Sequence, residues 1–120
     1  MLPSKNRFTL RLIGAKRVPV KGQYQGPFFN LKIYGWYEDK KPFSESRFAF
    51  VVSSRIAKKA TSRNRVKRLL REAVAQLLPE ILPGFTVAIF ARQAIIGQTL
   101  VAIKEEMEKL FRRAEMLKVE

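Results

Sequence analysis

A chain of 120 residues with 24 Lys+Arg against 10 Asp+Glu carries a formal net charge of +14, which speaks of polyanionic partners and not of any particular fold. Hydrophobic residues make up 47%, enough for one modest core and too many for a wholly disordered chain. There is no Cys and no His, so disulfides, Cys/His zinc sites, cysteine nucleophiles and histidine general bases are excluded together.

The first stretch, MLPSKNRFTLRLIG, has no apolar core long enough for a signal peptide. No apolar run in the chain approaches the ~20 residues of a membrane span, so the expectation is a soluble, cytoplasmic protein. Gly14, Pro19, Gly22, Gly26 and Pro27 interrupt residues 2–27, which predicts an extended or irregular segment with a short strand at 8–13. FFNLKIYGWY, 28–37, alternates, with Phe29, Leu31 and Ile33 on one side and Asn30, Lys32 and Tyr34 on the other. That is the pattern of a half-buried strand. RFAFVVSS, 47–54, is aromatic and β-branched and reads as a second strand, paired with the first as a hairpin. A helix follows over about 63–78, ended by Pro79 and Pro83. FTVAIFA, 85–91, is a buried strand, and 99–117 is a final helix, apolar at Leu100, Ile103, Met107, Leu110 and Phe111. The order strand, strand, helix, strand, helix predicts an α+β fold, a two-layer sandwich with a mixed or antiparallel sheet and its helices on one face. One domain over 1–120 is expected.

The charge is segregated. Residues 55–71 hold eight cations (Arg55, Lys58, Lys59, Arg63, Arg65, Lys67, Arg68, Arg71) and no acid. At 100° per residue, Val66, Leu69, Leu70, Ala73, Val74 and Leu77 form one apolar face, and Asn64, Lys67, Arg68 and Arg71 gather opposite it. Arg63 and Arg65 flank that stripe near the helix start, where Ser62 or Thr61 can cap. An ordinary solvated helix face mixes signs; this one does not. Cations at a helix N-terminus are disfavoured by typically about 0.3–1 kcal/mol each, a cost that a bound phosphate would reverse.

RNRVKRLLRE, Arg63 to Glu72, resembles the arginine–asparagine–arginine signature of the protein subunit of bacterial ribonuclease P. RFAFVVSSRIAKKATS before it is similar to that family's strand and basic loop, and GFTVAIFARQAI after it to the family's last strand. The resemblance covers about 28–117, leaving 1–27 as an atypical N-terminal segment. It implies a left-handed β-α-β crossover, an exception to the usual rule. It also implies a protein that binds a catalytic RNA and the 5′ leader of precursor tRNA while the RNA performs the chemistry. RNA-binding residues would be Arg63, Asn64, Arg65, Lys67, Arg68 and Arg71, extended by Arg55, Lys58 and Lys59. The leader cleft would draw on Phe8, Phe28, Asn30, Lys32 and Tyr34. No catalytic or metal-ligating residue is expected on the protein, no cofactor is bound by it alone, and Mg2+ is required by the assembled enzyme, in which the protein is a monomer. One departure stands out: RLIGAKRVPVKGQYQ shows no sign of the aromatic pattern of the family's first helix, and Gly14 and Pro19 argue against an intact helix there.

Three rivals differ in class. A generic basic RNA binder, such as a small ribosomal protein, is separated only by a requirement for one particular RNA. A stand-alone nuclease needs acids for a metal, and Glu38, Asp39, Glu45, Glu72 and Glu80 form no recognisable ligand set. A membrane-surface helix at 63–78 would lack the interfacial Trp or Phe such helices favour.

Overall fold

A computed structural model describes residues 2–3, 6–7, 20–34 and 46–118. Four strands, β1 (Val20–Gln25), β2 (Phe29–Tyr34), β3 (Arg47–Val51) and β4 (Thr86–Ala91), form one sheet in the order β1-β2-β4-β3. Helix α1 (Ala60–Leu77) connects β3 to β4, and α2 (Leu100–Arg113) follows β4. β1 and β2 are antiparallel, β2 and β4 are antiparallel, and β3 and β4 are parallel. The fold is α+β with a mixed open sheet, as expected.

The expected hairpin between 28–37 and 47–54 does not form. β4 lies between the two strands, with Leu31 opposite Ile89 on one side and Phe50 opposite the same residue on the other. The apolar segment 85–91 is suited to that central place, since Thr86, Val87, Ala88 and Ile89 are all buried. β2's actual hairpin partner is β1, in the stretch expected to be irregular; the predicted strand at 8–13 lies outside the described residues. Gly26 between β1 and β2 has a steric reason. A Cβ there would lie 2.8 Å from Leu110 Cδ1 and 3.1 Å from the Phe29 carbonyl oxygen.

Paired residues share a sheet face. The register therefore puts Phe29, Leu31, Ile33, Val87, Ile89, Phe48 and Phe50 on one face. Both helices complete that core, α1 with Val66, Leu70, Ala73, Val74 and Leu77, α2 with Ile103, Met107, Leu110 and Phe111. The rings of Phe48 and Phe111 stack with centroids 6.0 Å apart. Each fully buried Val, Leu, Ile, Phe or Met among them contributes about 1.5–3 kcal/mol of transfer free energy.

The outer edge of β3 is not bare. Leu2 is fully buried in the core, the Asn6 side-chain amide donates to the Ser46 carbonyl at 2.8 Å, and Arg7 bridges Phe48 in parallel. Ser46 is the knot of this corner. Its hydroxyl donates to the Leu82 carbonyl at 2.7 Å and accepts from the Phe85 N–H at 3.0 Å.

Candidate nucleic-acid interface

α1 starts at Ala60, three residues before its expected start. Lys59 occupies the N-cap position in extended conformation (φ −79°, ψ 133°), and its side chain makes no capping hydrogen bond. Thr61 and Ser62 lie inside the first turn, so neither is the cap. No acid stands in that turn. The helix thus begins with its positive dipole end uncompensated by any local carboxylate.

The cations along α1 fall into two rows. Asn64, Arg65 and Arg68 are exposed on the crest, away from the buried stripe. Arg63, Lys67 and Arg71, spaced by four, run along the flank and are half-buried. The flank row does not simply face solvent, as the sequence suggested. Arg71 lays its guanidinium over the Phe50 ring, 5.9 Å from the centroid, and its Nε is buried with no hydrogen-bond partner. Arg63 turns back toward the preceding loop, where its Nη1 donates to the carbonyl oxygens of Ala57 and Lys58, each at 2.8 Å. Arg55, Lys58 and Lys59 are exposed on that loop. Through residue 71 no carboxylate interrupts this surface. α2 is the contrast, since Arg112 pairs with Glu108 at 2.9 Å and Lys109 with Glu106 at 3.5 Å.

A second cluster lies on the other face of the sheet. Asn30, Lys32 and Tyr34 share that face with Thr86, Ala88 and Phe90 by register. Lys32 Nζ sits 5.2 Å over the Phe90 ring centroid, Asn30 Oδ1 is buried without a hydrogen-bond partner, and burial raises the Tyr34 hydroxyl above its ordinary pKa of 10.0. Phe28 precedes β2 and is half-buried against the core. Phe8 lies outside the described residues. Phe90 went unnamed in the sequence reading, although alternation along 86–90 already separates it from Val87 and Ile89. The sheet stands between this cluster and α1.

Among the described residues no group of three or more acids gathers to hold a metal. Of the acids weighed for a nuclease, Glu38, Asp39 and Glu45 lie outside the described residues. No described helix is long and apolar enough to cross a membrane. A further cleft, lined by Glu80, Glu108 and Glu115 as well as Lys104, Arg112 and Lys118, is mixed in sign and does not continue the cationic surface.

The family model for Ribonuclease P matches residues 22–115. The chain is 33% identical over 110 residues to a ribonuclease P protein component of Pseudanabaena sp., covering 92% of this chain and 85% of that one. It is 40% identical over 72 residues to the ribonuclease P protein component of Synechocystis sp., covering 60% of this chain and 58% of the relative. The first curated relatives are thus matched over about three fifths of their own length. Among solved structures, the Staphylococcus aureus RNase P protein superposes with a TM-score of 0.73 at 20% identity, over 94% of this chain and 98% of that one. The Thermotoga maritima RNase P protein gives 0.69 at 24% identity, over 89% and 96%. At these identities the two structures speak for the fold.

Proposed function

The chain belongs to the ribonuclease P protein family, and on that premise we propose that it is the RNA-binding subunit of a ribonucleoprotein that removes the 5′ leader from precursor tRNA, with the cleavage chemistry carried by the RNA. The observation that carries this reading is the acid-free surface formed by Arg65, Arg68 and Asn64 on the crest of α1 and by Arg55, Lys58 and Lys59 on the loop before it. Arginine holds phosphate bidentately through its planar fork. A-form RNA hides its base edges in a deep groove, so backbone and shape are what such a surface reads. Each phosphate neutralised adds roughly 0.7–0.9 to the slope of log affinity against log salt.

The outer sheet face supports a role in leader binding. Asn30, Lys32, Tyr34 and Phe90 combine a cation, an aromatic ring and amide and hydroxyl groups on one side of the sheet, the equipment for a single strand whose bases stack while its backbone is neutralised. The protein offers no His or Cys for acid–base or nucleophilic work. On this reading magnesium serves the assembled enzyme, and the protein's part is binding and orientation. In this reading it acts as a monomer within the complex, in the cytoplasm.

The test is precursor-tRNA cleavage at low magnesium by a bacterial ribonuclease P RNA, with and without the protein. Stimulation by the wild type, lost in Arg65→Ala/Arg68→Ala, is the expected result. No stimulation by a folded protein that still binds RNA would leave a generic basic RNA binder.

A further inference from the structure

Arg63 opens the basic signature, yet it behaves unlike Arg65 and Arg68. Three observations set it apart. On the helical wheel it falls within about 20° of Leu70 and Val74, both fully buried, so its Cβ leaves the helix on the packed side. Its side chain is half-buried, while Arg65 and Arg68 are exposed. Both hydrogens of its Nη1 are committed, one to the Ala57 carbonyl and one to the Lys58 carbonyl.

Those two carbonyls belong to the turn that carries the basic loop into α1. At its start the turn is closed by the N–H groups of Ile56 and Ala57, which donate to the Ser53 carbonyl at 3.0 and 3.3 Å. At its end Arg63 ties together the carbonyls of residues 57 and 58. Ala57 is buried, and Lys58 and Lys59 stand exposed on the outside. We propose that Arg63 is a positioning residue for the RNA interface: it clasps the neck of the loop and so sets Lys58 and Lys59 toward the phosphate backbone, without meeting a phosphate itself. This rests on the RNA-binding reading. It also accounts for a cation in the fourth position of a helix whose dipole disfavours it, because charge-assisted bonds to two backbone oxygens offset that cost.

The experiment is a double-mutant cycle on the full chain. Affinity for a bacterial ribonuclease P RNA transcript, and its salt slope, are measured for wild type, Arg63→Ala, Lys58→Ala/Lys59→Ala and the triple variant. Amide exchange of residues 53–59 is followed in the free protein. Contacting residues in one network couple strongly, so Arg63→Ala is expected to weaken binding about tenfold in the wild-type background and by less than about threefold once the two lysines are gone. Exchange at 57–59 should accelerate in Arg63→Ala without RNA present. Arg63→Gln is carried alongside and scored in the same way, in case the alanine variant fails to fold. Three results would each overturn the proposal: an equal loss in both backgrounds with a lower salt slope in each, which marks a direct phosphate contact; unchanged affinity in the wild-type background; or unchanged exchange in the loop. Failure of the wild type to bind the RNA would remove the functional reading, and the exchange measurement on the free protein would still decide whether Arg63 holds the loop.

Discussion

Arg71 of α1 lays its guanidinium over the ring of Phe50 of β3, 5.9 Å from the centroid. One side chain thereby serves both the fold and the charged surface, because a cation–π contact on the sheet edge holds a positive charge in a set direction. Arg71→Ala is expected to cost about 0.5–1 kcal/mol of stability and to weaken RNA binding as well. Arg71→Lys keeps the charge and loses the planar stacking, so it should retain more affinity than stability. Denaturant unfolding and RNA binding measured on the same two variants check this; a pair of variants with wild-type stability would show the contact to be incidental.

Arg65 is the opposite case. It is exposed on the crest and nothing in the core depends on it. Arg65→Ala should leave stability within about 0.5 kcal/mol of wild type while reducing the salt slope of RNA affinity by roughly 0.7–0.9. A titration at several salt concentrations reads both the loss and the slope. Parallel salt lines for wild type and variant would place Arg65 off the RNA.

Ser46 ties together the start of β3, the connection into β4 and the N-terminal segment. Ser46→Ala removes the hydroxyl that serves the Leu82 carbonyl and the Phe85 N–H, in a place only 4% exposed. Leaving buried backbone groups unsatisfied costs about 1–3 kcal/mol, and thermal unfolding should show a loss in that range. RNA affinity of the folded variant should stay at the wild-type level.

Tyr34 gives a pH signature. Burial holds its hydroxyl protonated above the ordinary value of 10.0, so the folded state keeps that proton where the unfolded chain releases it. The stabilising contribution is fully present below the unfolded pKa and is lost as pH rises through the raised, folded one. Unfolding followed from roughly pH 9 upward should therefore fall more steeply for wild type than for Tyr34→Phe. Identical profiles would mean that the hydroxyl is as well solvated as in the unfolded chain. With no His or Cys in the chain, RNA affinity should be flat between about pH 6 and 7.

Much of this was legible in the residues, for identifiable reasons. The α1 stripe from Val66 to Leu77 and the β2 alternation of Phe29, Leu31 and Ile33 are periodic, and burial follows period. The acid-free run from Arg55 to Arg71 needed only counting. β1 was missed because an exposed edge strand with Gly22 in it, mostly exposed at Val20, Lys21, Gln23 and Gln25, has no apolar alternation to betray it. The wrong hairpin has a different cause: alternation says which face of a strand is buried and nothing about which strand lies beside it. The inward turn of Arg63 did leave a trace, since its wheel angle sits among the buried residues. A reading by residue type alone grouped it with the outward arginines.

The strand order β1-β2-β4-β3 has a consequence for synthesis. Translation releases β1 and β2 as neighbours that can zip locally, but β3 must wait for β4, and α1 must wait for α2, which follows β4. Closing such non-local pairings is slow compared with a hairpin. For that interval the nascent chain shows its acid-free segment to a ribosome built largely of nucleic acid, before the fold that disciplines those charges exists. Self-repulsion then favours an open, soluble chain, and the same charges favour contact with the wrong polyanion until β4 and α2 have been delivered.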